Sequence, residues 1–426
     1  MAGDKRSLLP LKHAAFRNVA AGRFINYLGN GIAPIALAFA VLDLTGSASQ
    51  LSLLVAARAL SSTAVMLLGG VLADRVPRAL LMQGSALAAG AVQAVAGTAV
   101  IHGWSSMPLL ICLAAVNGAF SALALPGSMA VVPQTVPKEE LSQANALLRM
   151  TTNLAVVMGS SVGGVLVALC GSGWGLILDA GTYACAAFFF GRVRAITTAA
   201  VAPARRRSLL SDMREGWSEF VSHTWLWIVV LQATVWQAVW AGSIQVLGPF
   251  IAIDEIGKAA WGFVLASYTA GTIAGGLVAL RWKPRRGVAV GVGLTSVSAV
   301  LPLGLALTDS LPLLLGAGFV AGLCMEQVMV ASSATVQSSV RPDRLARVAS
   351  FQIIGSLAAV PLGQALAGPL ADQTGAHAFL VGGALIIVLA AALSLSSRSV
   401  RNAGPADQQS TASPARENPA VAEGTR

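Results

Sequence analysis

Two acidic residues lie inside long apolar stretches of the sequence, where a charge is costly. Glu326 is near the middle of the stretch 311–337, and Asp179 lies in 173–193. Ionisable residues at membrane depth are rare and mark ion or substrate pathways. Removal from water favours the neutral form of a carboxyl group, which suits reversible protonation. We therefore predict Glu326 first and Asp179 second as proton-coupling residues, with contact to a cationic substrate as another role for Glu326.

Arginines also lie within the apolar stretches. Arg58 could pair with a carboxylate or contact a substrate. Arg23 and Arg149 lie nearer the ends of their stretches, and such long side chains can reach the membrane surface while their stems stay in lipid. Structural roles are the alternatives for the two acids: a hydrogen bond for Glu326 and a buried pair for Asp179.

A row of polar and aromatic side chains recurs at helical spacing. Gln232, Trp236 and Trp240 are four residues apart and therefore share one helix face. Flat aromatic faces bind cations and rings, and ligand cavities are mostly apolar with a few polar groups. The row predicts a cavity for a bulky amphipathic substrate, and packing between helices is the alternative. The further cavity residues that we predict are Asn26, Asn30 and Gln245.

Neither an enzyme nor a cofactor site is indicated by sequence motifs. The sequence has no P-loop and no H-E-x-x-H pattern. Its four cysteines form no C-x-x-C pair, and its four histidines are scattered. We predict that the chain is not an enzyme, holds no metal or cofactor and uses no ATP.

Composition indicates that these residues belong to a membrane protein. Hydrophobic types make up 55% of the 426 residues and charged types only 11%, against about 25% charged in soluble domains. A spanning helix needs about 20 apolar residues, and in lipid its backbone groups must bond internally. We predict an all-α polytopic membrane protein with twelve transmembrane helices. The predicted spans are 19–42, 50–72, 79–101, 107–132, 142–170, 173–193, 223–250, 259–281, 287–307, 311–337, 346–371 and 374–397.

Basic residues accumulate in alternate joints between the predicted spans. One set of joints includes the run Arg205, Arg206 and Arg207, whereas the other set holds Lys258 alone among acidic residues such as Asp43. Loops rich in lysine and arginine stay in the cytoplasm. We therefore predict that both termini are cytoplasmic, in a bacterial-type inner membrane. The same distribution explains the net charge of +10, so we expect no nucleic-acid partner.

The spans divide into two groups of six. We predict an N-terminal bundle over 1–194, a cytoplasmic linker with an amphipathic helix over 195–222, a C-terminal bundle over 223–398 and a disordered tail over 399–426.

The two bundles repeat each other in sequence. Residues 132–171 align without gaps on 336–375, with nine identities and with their glycines in register. A parallel duplication of six plus six helices is a transporter architecture, in which the substrate path lies between the halves.

The joint after the second span carries a family resemblance. Gly70, Asp74, Arg75 and Arg78 resemble the loop signature of the major facilitator superfamily, with Pro77 where that family has a glycine. The resemblance implies a gate, because such charges can pair in one conformation and separate in another. The alternative is that the arginines only set the topology.

Two further runs resemble the efflux proteins of this superfamily. Gly159, Gly163 and Gly164 resemble the glycine-proline-x-x-glycine-glycine element of antiporters, although small residues also let helices pack closely whatever the function. The run 133–137, followed by Asn145, resembles the branch that includes siderophore and macrolide exporters.

The resemblance implies a carrier and a mechanism. In the resembled fold the tenth helix borders a central cavity, which would place Glu326 there. We predict a monomeric secondary transporter that exports a small hydrophobic or cationic molecule by alternating access, in exchange for protons. The alternatives are an uptake symporter or facilitator for a small metabolite, and a membrane scaffold or receptor that transports nothing.

Overall fold

A computed structural model describes residues 9–73, 78–194, 221, 224–282, 284, 286–339 and 345–402. Within these ranges the protein is built of helices and turns. Ten of its helices are long and apolar enough to cross a membrane. The two further long helices, α2 and α11 below, lie only in part within the residues whose side chains are described.

Six helices form the N-terminal half of the described chain. They are α1 (Ala14–Thr45), α2 (Ala48–Ala73), α3 (Arg78–Ile101), α4 (Met107–Val131), α5 (Leu141–Cys170) and α6 (Ser172–Arg194). Short 3-10 turns at Leu9–Lys12, Val132–Gln134 and Lys138–Glu140 precede α1 and α5.

Six helices also form the C-terminal half. The first, α7, runs from Thr224–Trp240 through a π-helical segment, Ala241–Leu247, into Gly248–Asp254. The second is α8 (Lys258–Arg281), and the third is α9, in two parts, Gly287–Ser298 and Val300–Leu307. The last three are α10 (Leu311–Ser339), α11 (Leu345–Thr374) and α12 (Ala376–Ser396).

Short glycine turns join the helices at one end of the molecule. We call this end the far end. We call the opposite end, where α1 begins and α12 ends, the terminal end. Positive φ angles, from 62° to 91°, occur at the glycines of five far-end joints, where a side chain would be strained. These glycines are Gly46, Gly103, Gly171, Gly257 and Gly375.

The predicted repeat is confirmed by the positions of the helices. α5 and α11 are both 30 residues long and begin 204 positions apart, at Leu141 and Leu345. The same spacing separates the starts of α4 and α10, at Met107 and Leu311. The architecture is therefore two six-helix bundles related by a parallel pseudo-repeat.

The largest apolar core is shared between the two halves. It joins Phe39 and Leu51 of the N-terminal half to Leu247 and Trp261 of the C-terminal half, and all four are buried. The two helix pairs that pack most extensively across the halves are α5 with α8 and α2 with α11. The halves are thus held together by apolar packing as well as by polar contacts.

Two predicted segments fall largely outside the described residues. The linker 195–222, with its amphipathic helix, is not described apart from Val221. The predicted tail begins as a short helix, α13 (Arg398–Asn402), and its remainder from residue 403 is not described. The buried Val400 explains this helix, because it packs against apolar residues of α7, α9 and α12.

Candidate functional site

An ion pair joins the two halves near the middle of the molecule. Nη2 of Arg149, on α5, lies 2.7 Å from Oε1 of Glu326, on α10. Arg149 is eight residues from the start of its helix, so its Cα lies about 12 Å inside the terminal end. The Glu326 side chain is 15% exposed and that of Arg149 65%. A carboxylate of the C-terminal half is therefore neutralised by an exposed cation of the other half.

Helix α8 packs against the other side of Glu326. A Cβ atom built on Gly275 would lie 3.0 Å from the Glu326 Cβ, and one on Gly276 would lie 3.8 Å from its Cγ. The neighbouring Gln327 donates a hydrogen bond to the Gly275 carbonyl oxygen. Gln327 therefore fastens α10 to α8, while Glu326 itself bonds across to α5.

An aromatic row extends from α7 towards this carboxylate. The Trp236 and Trp240 rings stack with their centroids 5.2 Å apart, and the Tyr268 ring of α8 follows 5.1 Å from that of Trp240. Tyr268 lies within electrostatic reach of Glu326. Tyr268 is partly exposed, whereas both tryptophans are buried.

The other polar groups on this face of α7 bond to neighbouring helices. The Trp236 indole donates to Ser298 Oγ at 2.8 Å, and Gln232 Nε2 donates to Thr295 Oγ1 at 2.7 Å. The exposed Gln245, in the π-helical segment, accepts a 2.6 Å bond from Gln364 of α11. Gln232 and Trp236 thus pack α7 against α9.

Asp179 lies in a different environment, inside the N-terminal half. Its side chain is 1% exposed, and its nearest hydrogen-bond donor is Thr182 Oγ1, at 3.4 Å from Oδ1. Among the described residues Oδ2 has no hydrogen-bond partner. The charge of Arg58, on α2, acts on this carboxyl group without a contact short enough for an ion pair. Gly29 of α1 is pressed so closely against Asp179 and Thr182 that a methyl group there would overlap both.

A small cavity with polar and apolar walls lies in the same bundle as Asp179. Its volume is about 90 Å³, and its polar lining residues include Arg23, Asn26 and Asn30 of α1 and Ser121 of α4. Asn30 donates to Asn26 at 3.2 Å, and Ser121 bonds the Tyr183 hydroxyl at 3.0 Å. This space suits a few water molecules rather than a drug-sized ligand.

The predicted glycines of α5 face two different partners. A methyl group on Gly159 would overlap the carbonyl oxygen of Leu28, and one on Gly163 would lie 2.9 Å from the Ile32 Cα, both in α1. One on Gly164 would lie 2.8 Å from the Cα of Gly262 in α8. Gly159 and Gly163 therefore bring two helices of one half together, whereas Gly164 brings the halves together.

The same run of α5 also has the spacing G-x-S-x-G, with Ser161 at the serine position. In esterases this pattern forms a strand-to-helix turn that exposes the serine. Here it lies within a helix, and Ser161 Oγ donates to the Val157 carbonyl oxygen at 3.0 Å. The pattern is therefore incidental to helix packing.

Polar contacts between the halves close the far end. Lys258 Nζ of α8 lies 2.5 Å from Oδ1 of Asp43 in α1. Ser49 and Ser52, near the start of α2, bond to α11 through the Asp372 carboxylate at 2.5 Å and the Gly368 amide at 2.7 Å. Apart from Arg149–Glu326, the polar side-chain bonds between the halves in the described part lie at or near this end.

The predicted gate falls mostly outside the described residues. Asp74 and Arg75 are not described. Gly70 lies in the last turn of α2 and Arg78 is the first residue of α3, but the surroundings of their side chains are not described. In the described part of the chain, no group of histidine, cysteine, aspartate or glutamate residues could hold a metal ion.

A comparison with protein families identifies the chain. The family described as transmembrane secretion effector, a branch of the major facilitator superfamily, matches residues 5–424. The chain belongs to this family. The resemblance drawn from residues 70–78 is thereby confirmed, and the transmembrane secretion effectors are transporters rather than enzymes.

Named relatives of this transmembrane secretion effector export small molecules. The multidrug efflux pump Tap of Mycolicibacterium fortuitum is 29% identical over 411 residues, which cover 91% of this chain and 95% of that protein. Tap of Mycobacterium tuberculosis is 27% identical, over 84% of this chain and 88% of that one. The enterobactin exporter EntS of Citrobacter koseri is 29% identical over 40% of this chain and 41% of its own.

Solved structures support the fold of the family. A bacterial homologue of the human lysosomal transporter Spinster superposes with a TM-score of 0.71 at 17% identity, over 91% of this chain and 97% of that one. The nucleoside transporter NupG gives a TM-score of 0.70 at 13% identity, over 90% and 98%. At these identities the likeness concerns the arrangement of helices.

Proposed function

We propose that this protein exports a small hydrophobic or cationic molecule from the cytoplasm in exchange for protons. Its multidrug-pump relatives support export, because the likeness to Tap covers nearly the whole of both chains. The observation that carries the mechanism is the Arg149–Glu326 pair, a bond between the halves away from the contacts that close the far end. A substrate or a proton that binds Glu326 would release this bond.

The orientation follows from the basic residues. The joints rich in arginine lie at the terminal end, so that end and both chain termini would face the cytoplasm of a bacterial inner membrane. The closed far end would then face outwards. Alternating access would rock the half over 1–194 against the half over 223–398, with the linker 195–222 between them, in a protein that works as a monomer.

Proton coupling is assigned first to Glu326 and second to Asp179. Burying an unpaired charge is expensive, so a carboxyl group exchanges its proton when its charge partner comes and goes. Glu326 has such a partner in Arg149, on the opposite half. Asp179 has its nearest cation, Arg58, within its own half, so the rocking of the halves would disturb that interaction less.

The test is transport in inverted membrane vesicles with an imposed pH gradient. A compound identified by a growth panel in a strain without its own pumps serves as the substrate. We expect Glu326→Gln to abolish uptake driven by the gradient, while the purified protein keeps its thermal unfolding temperature. Glu255→Gln is the matched control, since Glu255 lies at the far end, 3.0 Å from His377 of its own half.

Other outcomes would reassign the mechanism. Loss of the gradient dependence in Asp179→Asn, with Glu326→Gln unaffected, would move the coupling to Asp179. If the transport rate of the wild type does not depend on the pH gradient, proton antiport is excluded. Accumulation in right-side-out vesicles would favour uptake, and absence of flux in proteoliposomes that still bind the compound would favour a scaffold or receptor.

A further inference from the structure

We propose that Glu326, Tyr268 and Trp240 form a binding site for an aromatic organic cation, and that Arg149 occupies it as a competing cation supplied by the chain itself. The inference rests on the proposed export function, because it names the class of substrate. It adds a residue, Arg149, that would set both the affinity and the charge preference of the site.

The carboxylate is the first part of this site. Glu326 is largely shielded from water, and the guanidinium of Arg149 is the cationic partner found for it among the described residues. A shielded carboxylate attracts a cation far more strongly than one in bulk water. The bound guanidinium is a planar organic cation, so the structure shows the carboxylate paired with an organic cation.

The aromatic row is the second part. The backbone of Tyr268 packs against Gly322, one turn of α10 before Glu326, and the Tyr268 ring continues through Trp240 into Trp236, with centroids 5.1 Å and 5.2 Å apart. Aromatic faces attract cations and stack on flat rings. A carboxylate near the partly exposed Tyr268 ring, which stacks on the buried Trp240, favours a cation that carries aromatic groups over a metal ion or an aliphatic amine.

The close approach of α8 is the third part. Gly275 and Gly276 present no side chain on the part of α8 next to Glu326, where Cβ atoms would lie 3.0 Å and 3.8 Å from its side chain. A Cβ atom on Gly275 would also lie 2.6 Å from the Leu323 carbonyl oxygen, so α8 and α10 are in close contact there. A cation therefore approaches the carboxylate from the side that Arg149 occupies, not from the side of α8.

Arg149 is suited to leave the site. Its side chain is 65% exposed, and it belongs to α5 of the opposite half. When a substrate cation replaces it, the guanidinium returns to water and Glu326 keeps a cationic partner, so the net cost resembles that of losing an exposed pair, about 0.2–1 kcal/mol, or less than about fivefold in a dissociation constant. A substrate cation needs only a modest advantage to displace it, and the displacement breaks the bond between α5 and α10.

Binding of two probes of the same shape and opposite charge tests the proposal. Tetraphenylphosphonium is a permanent aromatic cation, and tetraphenylborate is its anionic counterpart. Binding to the purified full-length chain is measured by equilibrium dialysis. We expect the cation to bind more tightly than the anion. Arg149→Ala should tighten cation binding about two- to fivefold, and Glu326→Gln should weaken it on the order of tenfold. Arg149→Lys should stay near the wild type.

Misfolding would expose apolar surface that binds both tetraphenyl ions, so a gain for the cation alone makes Arg149→Ala decisive even if Glu326→Gln folds poorly. Lys258→Ala is the matched control, because it removes the ion pair with Asp43 that also joins the halves but lies at the far end. Equal tightening in both variants would mean that loosened halves, not charge competition, explain the gain. Unchanged or weaker cation binding in Arg149→Ala, or preferred binding of tetraphenylborate, would overturn the proposal.

The binding test is independent of the proposed export. If the cation binds as expected but is not transported in vesicles, the site stands and the export proposal fails. If vesicles export some compound against a pH gradient while tetraphenylphosphonium does not bind, export stands and the cation site is wrong.

Discussion

The two acidic residues inside the spans, Glu326 and Asp179, differ in how close and how exposed their nearest cations are. Glu326 touches an exposed arginine of the other half, whereas Asp179 is buried and acts on Arg58 at a longer distance. Arg58 is only partly buried, whereas Asp179 is 1% exposed. The two members of this second interaction should therefore not be equivalent.

This asymmetry makes a prediction for stability at the residue scale. Arg58→Gln leaves a buried carboxylate without a nearby cation and should cost about 1–3 kcal/mol of unfolding free energy. Asp179→Asn should cost much less, and the double variant should recover most of the loss. Thermal unfolding of the three variants in detergent measures the cycle, and equal losses for both single variants would contradict it.

The sequence indicated which residues deserved study but not their partners. Glu326, Asp179 and Arg58 were found because a charge within an apolar run is rare. Arg149 was interpreted as reaching the membrane surface, and its bond to Glu326 was missed. The two residues are 177 positions apart, and the periodicity of each helix does not determine how one helix is rotated relative to the other. The roles of the predicted cavity residues remain predictions.

At the element scale, helix α5 packs both against a helix of its own half and against a helix of the other half. Gly159 and Gly163 are fitted to α1 of the same half, and Gly164 is fitted to α8 of the other half. A substitution at Gly159 must therefore disturb the bundle in every conformation. A substitution at Gly164 must disturb only conformations in which α5 and α8 are in contact.

We expect Gly159→Ala to destabilise the protein by about 1–3 kcal/mol, because the added methyl group overlaps the Leu28 carbonyl oxygen. Gly181→Ala in α6 is the matched control, since nothing lies within 4 Å of a Cβ atom there. It should be neutral or stabilising by up to about 1 kcal/mol. Thermal unfolding of both variants decides, and an unchanged Gly159→Ala would refute the close contact.

Most helices could be predicted from the sequence, since long apolar runs between polar joints leave few alternatives. The predicted spans 142–170 and 311–337 differ from α5 and α10 by two residues or fewer at either end. The π-helical segment of α7 could not be predicted. It lies inside the predicted span 223–250, and it is a feature of the packing against α11, where Gly242 lies against Gly363.

At the scale of the whole molecule, the polar contacts that close the far end include one partly exposed ion pair. Lys258 and Asp43 are 26% and 41% exposed, and the ammonium group also lies 5.3 Å from the Phe39 ring. Exposed ion pairs contribute about 0.2–1 kcal/mol each. Such contacts can hold the halves together and still be broken once in every transport cycle.

We expect Lys258→Ala to raise the population with separated far ends by up to about fivefold. Spin labels at Ser106 and Asp309, exposed in far-end joints of opposite halves, would report the distance in a chain whose four native cysteines are replaced. The exchange Asp43→Lys with Lys258→Asp should restore the wild-type distribution. His377→Ala is the control, because its partner Glu255 belongs to the same half. An equal shift in that control would exclude the Asp43 pair as the cause.

The two halves repeat each other at a spacing of 204 positions, but they are not interchangeable, because the Arg149–Glu326 pair takes one residue from each half. The positions that match Arg149 and Glu326 in the other half are occupied by Ile353 and Ala122. A chain assembled from two N-terminal halves would carry two copies of Arg149 and no Glu326. A chain assembled from two C-terminal halves would carry two copies of Glu326 and no Arg149. The ion pair therefore requires one half of each kind.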